Sequence, residues 1–83
     1  MDRIAVVTVI VEELEAAPAV NEALHEHASL AIGRMGIPYR EKGLSIICVV
    51  VAGPQERISA LSGRLGRIPG VSVTVAYAKE KNP

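Results

Sequence analysis

Eighty-three residues suffice for one domain with one core, and a chain this short buries a modest share of its surface, so association between copies is expected. Nine basic and nine acidic side chains balance, which excludes a global field drawing the chain to nucleic acid or to a membrane surface. A single cysteine excludes an internal disulfide, and without Phe or Trp the core has to be built from Val, Ile, Leu and Ala, a set that suits a sheet.

Ile4 to Val11 is β-branched and apolar at both parities, the pattern of a strand covered on both faces. The run could pass for a signal core, with Ala17-Pro18-Ala19 as a small-residue cleavage site. Glu12, Glu13 and Glu15 intervene, however, and it is far too short to span a bilayer, so a strand of a cytoplasmic protein is expected. Glu12 to Glu15 predict the strand end and the first turn of a helix, where carboxylates face the positive end of the helix dipole. Pro18 fits that first turn, because its missing N–H has no partner there. Val20, Ala23, Leu24 and His27 or Ala28 continue an apolar stripe that fades near Ala28 or Ser29.

Leu30 to Tyr39 reads as a weaker strand. Gly33 and Gly36 lower its propensity, and Pro38 removes a ladder donor, which confines it to a sheet edge. Arg40-Glu41-Lys42-Gly43 predicts a tight hairpin turn with positive φ at Gly43. Leu44 to Ala52 is a second strand apolar at both parities; Cys48 shares the parity of Leu44, Ile46 and Val50 and reads as a small buried hydrophobe. Gly53-Pro54 opens a second helix with Glu56 in its first turn and a stripe of Ile58, Leu61, Leu65 and Ile68. Ser59, Ser62 and Gly63 are small enough to admit a neighbouring element. Gly66 reads as the C-terminal cap and Pro69-Gly70 as the exit turn. Val71, Val73, Val75 and Tyr77 alternate with Ser72, Thr74, Ala76 and Ala78 in a half-exposed last strand, and the charged tail Lys79 to Pro83 is expected to fray.

The order βαββαβ predicts a single α+β domain over residues 1–83, the ferredoxin-like sandwich, with an antiparallel sheet of order 4-1-3-2 and two helices on one face. The patterning agrees: the strands apolar at both parities are the central ones, and the strand with Pro38 is an edge. The second face of the central strands then lacks cover within the chain, which would expose several hundred Å² of aliphatic surface. A homodimer or higher oligomer through that face, or through a sheet edge, is expected. Charge is also segregated. Arg3 is the lone base among residues 1–30 against six acids, whereas residues 31–83 hold eight bases and three acids. Two solvated helix faces of opposite sign, or acidic-to-basic docking of helices between subunits, both account for this.

Chemistry-bearing constellations are scarce. His25 and His27 lie two apart on the predicted helix and project about 200° from each other, so they do not chelate one ion together, and Cys48 completes no ligand set. A site shared between subunits stays open, but no metal and no cofactor is expected. Ser29, Ser45, Ser59, Ser62 and Ser72 sit in no nucleophile elbow or triad context. Gly63, Gly66 and Gly70 are not spaced to cradle phosphate, and the junction Val11-Glu12-Glu13 repels it. An RNA-binding sheet of this topology would carry aromatics on its central strands, and these have none. What remains is Arg34, Met35, Tyr39 and Arg40, which suit an anionic or planar ligand, the rim of an interface, or simply a surface edge strand and turn.

Leu24-His25-Glu26, then Gly33-Arg34-Met35-Gly36-Ile37-Pro38-Tyr39 followed by Lys42-Gly43, then Leu61-Ser62-Gly63-x-Leu65-Gly66-x-Ile68-Pro69-Gly70-Val71, resemble the regulators of the iron-only hydrogenase system, over about residues 3 to 78. The resemblance implies a small oligomeric ferredoxin-like domain similar to ACT regulatory domains and to the metal-sensing half of nickel-responsive repressors. It departs from these wider relatives in two places. The first strand-to-helix junction offers glutamates where ACT domains use a glycine to admit an amino acid. The repressors' His-x-His pattern with a downstream Cys is not reproduced at matching positions, and no DNA-binding segment accompanies it. A non-enzymatic regulatory or ligand-sensing module is therefore expected, cytoplasmic and homo-oligomeric, with its signal bound between subunits. The alternative is a structural assembly module without a small ligand. The candidate ligand or interface residues are His25, Arg34, Met35, Tyr39 and Arg40.

Overall fold

The computed structural model describes residues 2–79; the expected fraying of the tail beyond Lys79 lies outside the described residues. Four strands, β1 (Asp2–Val11), β2 (Ala31–Tyr39), β3 (Leu44–Pro54) and β4 (Val71–Tyr77), form one antiparallel sheet of order β2-β3-β1-β4. Helices α1 (Ala17–Glu26) and α2 (Gln55–Gly66) make the second layer of this α+β ferredoxin-like fold. Ala5, Val7, Val9 and Val11 of β1 and Ile47, Val49 and Val51 of β3 point into the helix layer, where they meet Val20, Ala23 and Leu24 of α1 and Ile58, Leu61 and Leu65 of α2. The stripe of α2 is fully buried, and covering each such aliphatic side chain contributes about 1.5–3 kcal/mol. At the far edge, Val71, Val73, Val75 and Tyr77 of β4 pack on the rim of the core with their alternates exposed, as period two predicts.

Local chemistry moves several expected boundaries. The α-helix starts at Ala17, with Pro18 in its first two positions, and a separate 3-10 turn, Leu14–Ala16, holds Glu15; the acidic run therefore precedes α1 and does not fill its first turn. Backbone N–H groups of Glu12 and Glu13 donate to the Gly70 carbonyl at 2.7 and 3.3 Å, which ties this junction to the exit turn of α2. β3 runs on through Gly53 and Pro54 because Arg3 and Asp2 pair with them, and Pro54 (ψ 145°) is the residue before α2, not part of it. An added Cβ on Gly53 would stand 2.5 Å from Leu30 Cδ2, so this backbone is held close to a buried leucine.

Gly66 stays helical and Arg67 closes α2; the positive φ that ends this connection is at Gly70, 81°. Gly43 has the expected left-handed φ of 66°, after a 3-10 turn at Arg40–Lys42. The small residues of α2 admit no neighbour, since a Cβ on Gly63 would meet only the Arg67 guanidinium at 3.6 Å and Ser59 is exposed. Cys48 is not buried either: it is half-exposed on the sheet face that the helices leave open. The opposite charges of the two helices find each other within one chain. Arg64 of α2 reaches Glu26 of α1 at 2.6 Å and Glu22 at 4.0 Å, and hydrogen bonding from Arg64 holds the Glu26 carboxyl below its usual range.

Candidate functional site

β2 is an edge strand, exposed along its whole length, and its alternation divides the candidate residues between two surfaces. Arg34, Gly36 and Pro38 pair with Val49, Ile47 and Ser45, the row of β3 that faces the helices. Met35, Ile37 and Tyr39 pair with Cys48, Ile46 and Leu44, the row that faces away. The sequence cluster of Arg34, Met35, Tyr39 and Arg40 is thus one cluster in the chain and two in space. Ile32 is the extra residue of a β-bulge, since Ala31 pairs with Val51 and Gly33 with Val50.

On the helix side, α1 stops short of β2 and leaves a groove along the edge of the sheet. Arg34 spans it, its Nη2 donating to Oδ1 of Asn21 on α1 at 3.3 Å, and both side chains line a chamber on either side of this bridge. The chamber toward the hairpin turn encloses about 590 Å³ and is lined by Val11, Leu14, Ala17, Leu44 and Ile47 as apolar surface, with Arg34, Arg40, Asn21 and Ser45 as polar groups and Gly36, Pro38 and Gly43 as bare wall. The chamber toward the end of α1 encloses about 420 Å³, with Leu24, Ala31, Val49, Val51 and Leu61 around His25, His27 and Arg34. Every ionisable side chain lining either chamber is basic among the described residues, and the acids of α1 turn instead toward Arg64.

His25 and His27 line the same chamber, contrary to the helical-wheel expectation. α1 ends at Glu26, so His27 has left the helical path (φ −108°, ψ 23°), and its Nδ1–H donates to the Ala23 carbonyl at 2.9 Å. That bond leaves Nε2 as its available ring nitrogen. Cys48 lies across the sheet from both histidines, and among the described residues no group of three His, Cys, Asp or Glu side chains is arranged to hold a metal. The groove also recruits residues the sequence did not mark as site candidates: Leu14, Asn21, Gly36 and Pro38. Gly36 and Pro38 were visible as the parity partners of Arg34; Leu14 and Asn21 come together with them only through the packing of α1.

The other surface is the open face of the sheet. Ile4, Val6 and Ile10 of β1 stand beside Ala52, Val50 and Ile46 of β3, and β2 adds Met35, Ile37 and Tyr39. Met35 is 57% exposed, Ile4 51%, Ile37 49%, Tyr39 45% and Val6 37%, so the patch is mainly apolar, with Thr8 among it and Ser72 and Thr74 of β4 along one side. Apolar side chains gathered on one open face are the kind of surface that soluble proteins use for interaction.

Residues 3–75 match the model of the TM1266-like family, described as "Iron-only hydrogenase system regulator, putative". The solved structure of the uncharacterized protein TM1266 from Thermotoga maritima is similar at 36% identity and a TM-score of 0.91, covering 95% of this chain and 100% of that one. The C-terminal domain of the MgtC protein from Mycobacterium tuberculosis follows at 17% identity and 0.69, covering 92% and 87%. CPII from Thiomonas intermedia K12, a nitrogen regulatory PII-like protein, has 12% identity and 0.55, covering 100% and 96%. The last two likenesses are of fold alone. No curated protein matches the chain in sequence.

Proposed function

The chain belongs to the TM1266-like family of iron-only hydrogenase system regulators, and from that premise we propose that it is a non-enzymatic cytoplasmic regulatory module that senses a small ligand as a homo-oligomer. One observation carries the reading: β2 lends Arg34, Gly36 and Pro38 to the groove and Met35, Ile37 and Tyr39 to the open face. A ligand that draws β2 toward α1 shifts the same strand's contribution to the subunit contact. Two distinct sites biasing one shared element is the physical requirement for coupling between them. His25, Arg34 and Arg40 are the ligand-side residues in this reading, and Met35 and Tyr39 the subunit-side ones. No helix among the described residues is long and apolar enough to cross a membrane.

The second reading, a structural assembly module without a ligand, is favoured by the open face taken by itself. Native mass spectrometry of protein purified from its own source separates the two, because it reads subunit number and retained small molecules together. The sensing reading expects a multimer carrying a small molecule whose removal changes the subunit equilibrium. A multimer that retains nothing and whose equilibrium no extract of small molecules alters would leave the structural reading, and a monomer would refute both.

A further inference from the structure

We propose that the chamber between α1 and β2 beside the hairpin turn binds a small amphipathic anion, a carboxylate or phosphate on an apolar body, with Arg34 and Arg40 taking the head and Val11, Leu14, Ala17 and Ile47 the body. This rests on the sensing reading and deepens it by naming the ligand's class. At about 590 Å³ the chamber lies within the roughly 300–1,000 Å³ of small-molecule sites, and like them it is mainly apolar with a few convergent polar groups. Its two charges are both guanidiniums, which hold carboxylate and phosphate oxygens in a paired geometry. Among the described residues neither Arg34 nor Arg40 has a carboxylate within ion-pair distance, so no described acid compensates this positive charge.

Gly36 is the second, independent observation. Its φ is not positive, and an added Cβ would meet no atom within 4 Å, so neither backbone conformation nor packing calls for glycine. A glycine in a strand costs stability relative to residues with a side chain. What a side chain at this position would do is project into the chamber, on the row shared with Arg34 and Pro38. The absence of one keeps the chamber open.

The occupant is a small molecule and not a segment of a second copy. A peptide running along the groove would have to displace the Arg34–Asn21 bridge that closes the chamber on one side. The acidic side chains of α1 that could match the arginines from a second copy, Glu22 and Glu26, already turn toward Arg64.

The test is a titration of the full chain with octanoate, octyl phosphate, octanol and inorganic phosphate, followed by calorimetry and by amide chemical shifts. One of the two amphipathic anions should bind with shifts at Asn21, Gly36 and Arg40; octanoate ahead of octyl phosphate identifies a carboxylate ligand, the reverse order a phosphate. Octanol and inorganic phosphate should each bind at least about tenfold more weakly, as should the anion to Arg40→Ala, a charged hydrogen bond being of that size. Gly36→Val should abolish binding with the melting temperature unchanged or raised, which distinguishes a filled site from a damaged fold. Equal binding of octanol, undiminished binding to Gly36→Val, or shifts confined to the open sheet face would overturn the proposal. So would chamber shifts that appear on concentrating the protein alone, which would assign the groove to a second copy. If neither anion binds but native protein retains a neutral or cationic molecule, the ligand class is wrong and the sensing reading stands; if nothing binds and nothing is retained, both fall.

Discussion

Ile37→Glu is the sharpest probe of the open sheet face. Ile37 is 49% exposed and sits opposite Ile46, so in the isolated chain the substitution removes half a contact and places a carboxylate in water. Its cost to the fold should stay below about 1 kcal/mol, the span of strand propensities. The cost to assembly is different. Covering a half-exposed aliphatic side chain gains about 1 kcal/mol, half of the value for full burial. In the proposed assembly through this face, Ile4, Val6, Met35, Ile37 and Tyr39 on two facing copies would supply about 10 kcal/mol, against an association cost of about 4–15 kcal/mol. Such an interface has little surplus. Glu at position 37 removes about 1 kcal/mol from each copy and buries two carboxylates, for a combined loss above about 4 kcal/mol and at least a thousandfold weaker association. Sedimentation over a dilution series, with urea unfolding of the same samples, reads both quantities. A parent chain that is monomeric at high micromolar concentration, or an Ile37→Glu variant whose dissociation midpoint equals the parent's, would refute the reasoning.

Gly53→Ala should destabilise the fold by about 1–3 kcal/mol in urea, because its Cβ must push aside Leu30, which is 2% exposed. The same change in a Leu30→Ala background should cost markedly less, and equal costs would show that the two do not press on each other. Arg64→Met should flatten the acid limb of the stability profile. The carboxyl of Glu26 is held low by its hydrogen bond from Arg64, so this contribution is present above the ordinary carboxylate range and lost as pH falls through the lowered value. The difference between parent and variant melting temperatures should therefore shrink from pH 6 toward pH 3, and a difference constant over that range would contradict it.

How far the sequence reached depended on the range of the physics involved. The sheet order was legible because a strand apolar at both parities has to be central, and Pro38 cannot donate to a neighbour on both sides. The groove was not, because it depends on how far α1 extends over the sheet, which no local pattern states. Arg34, Met35, Tyr39 and Arg40 read as one cluster on account of their nearness in the chain, although period two alone separates Arg34 from Met35 and Tyr39. Cys48 looks buried in sequence for a related reason. An apolar neighbourhood in sequence marks a row of side chains, and that row proved to be the uncovered one. His27 escaped the wheel because the helix ends at Glu26, short of the Ala28 or Ser29 its stripe suggests.

The bulge at Ile32 makes the two ends of β2 independent in their tolerance of altered length. Beyond it, the hairpin turn fixes the strand against β3 residue by residue; before it, buried Leu30 fixes the chain arriving from α1. Ile32 is the slack between these anchors, 63% exposed and unpaired. Deleting it should leave Ala31 opposite Val51 and Gly33 opposite Val50 as consecutive pairs, with both surfaces intact. Deleting any one residue from Gly33 to Tyr39 has no such outlet. It would turn the arginine row outward and the methionine row inward along part of the strand. Drift in loop length can therefore accumulate at this one position without exchanging the row that lines the groove for the row on the open face.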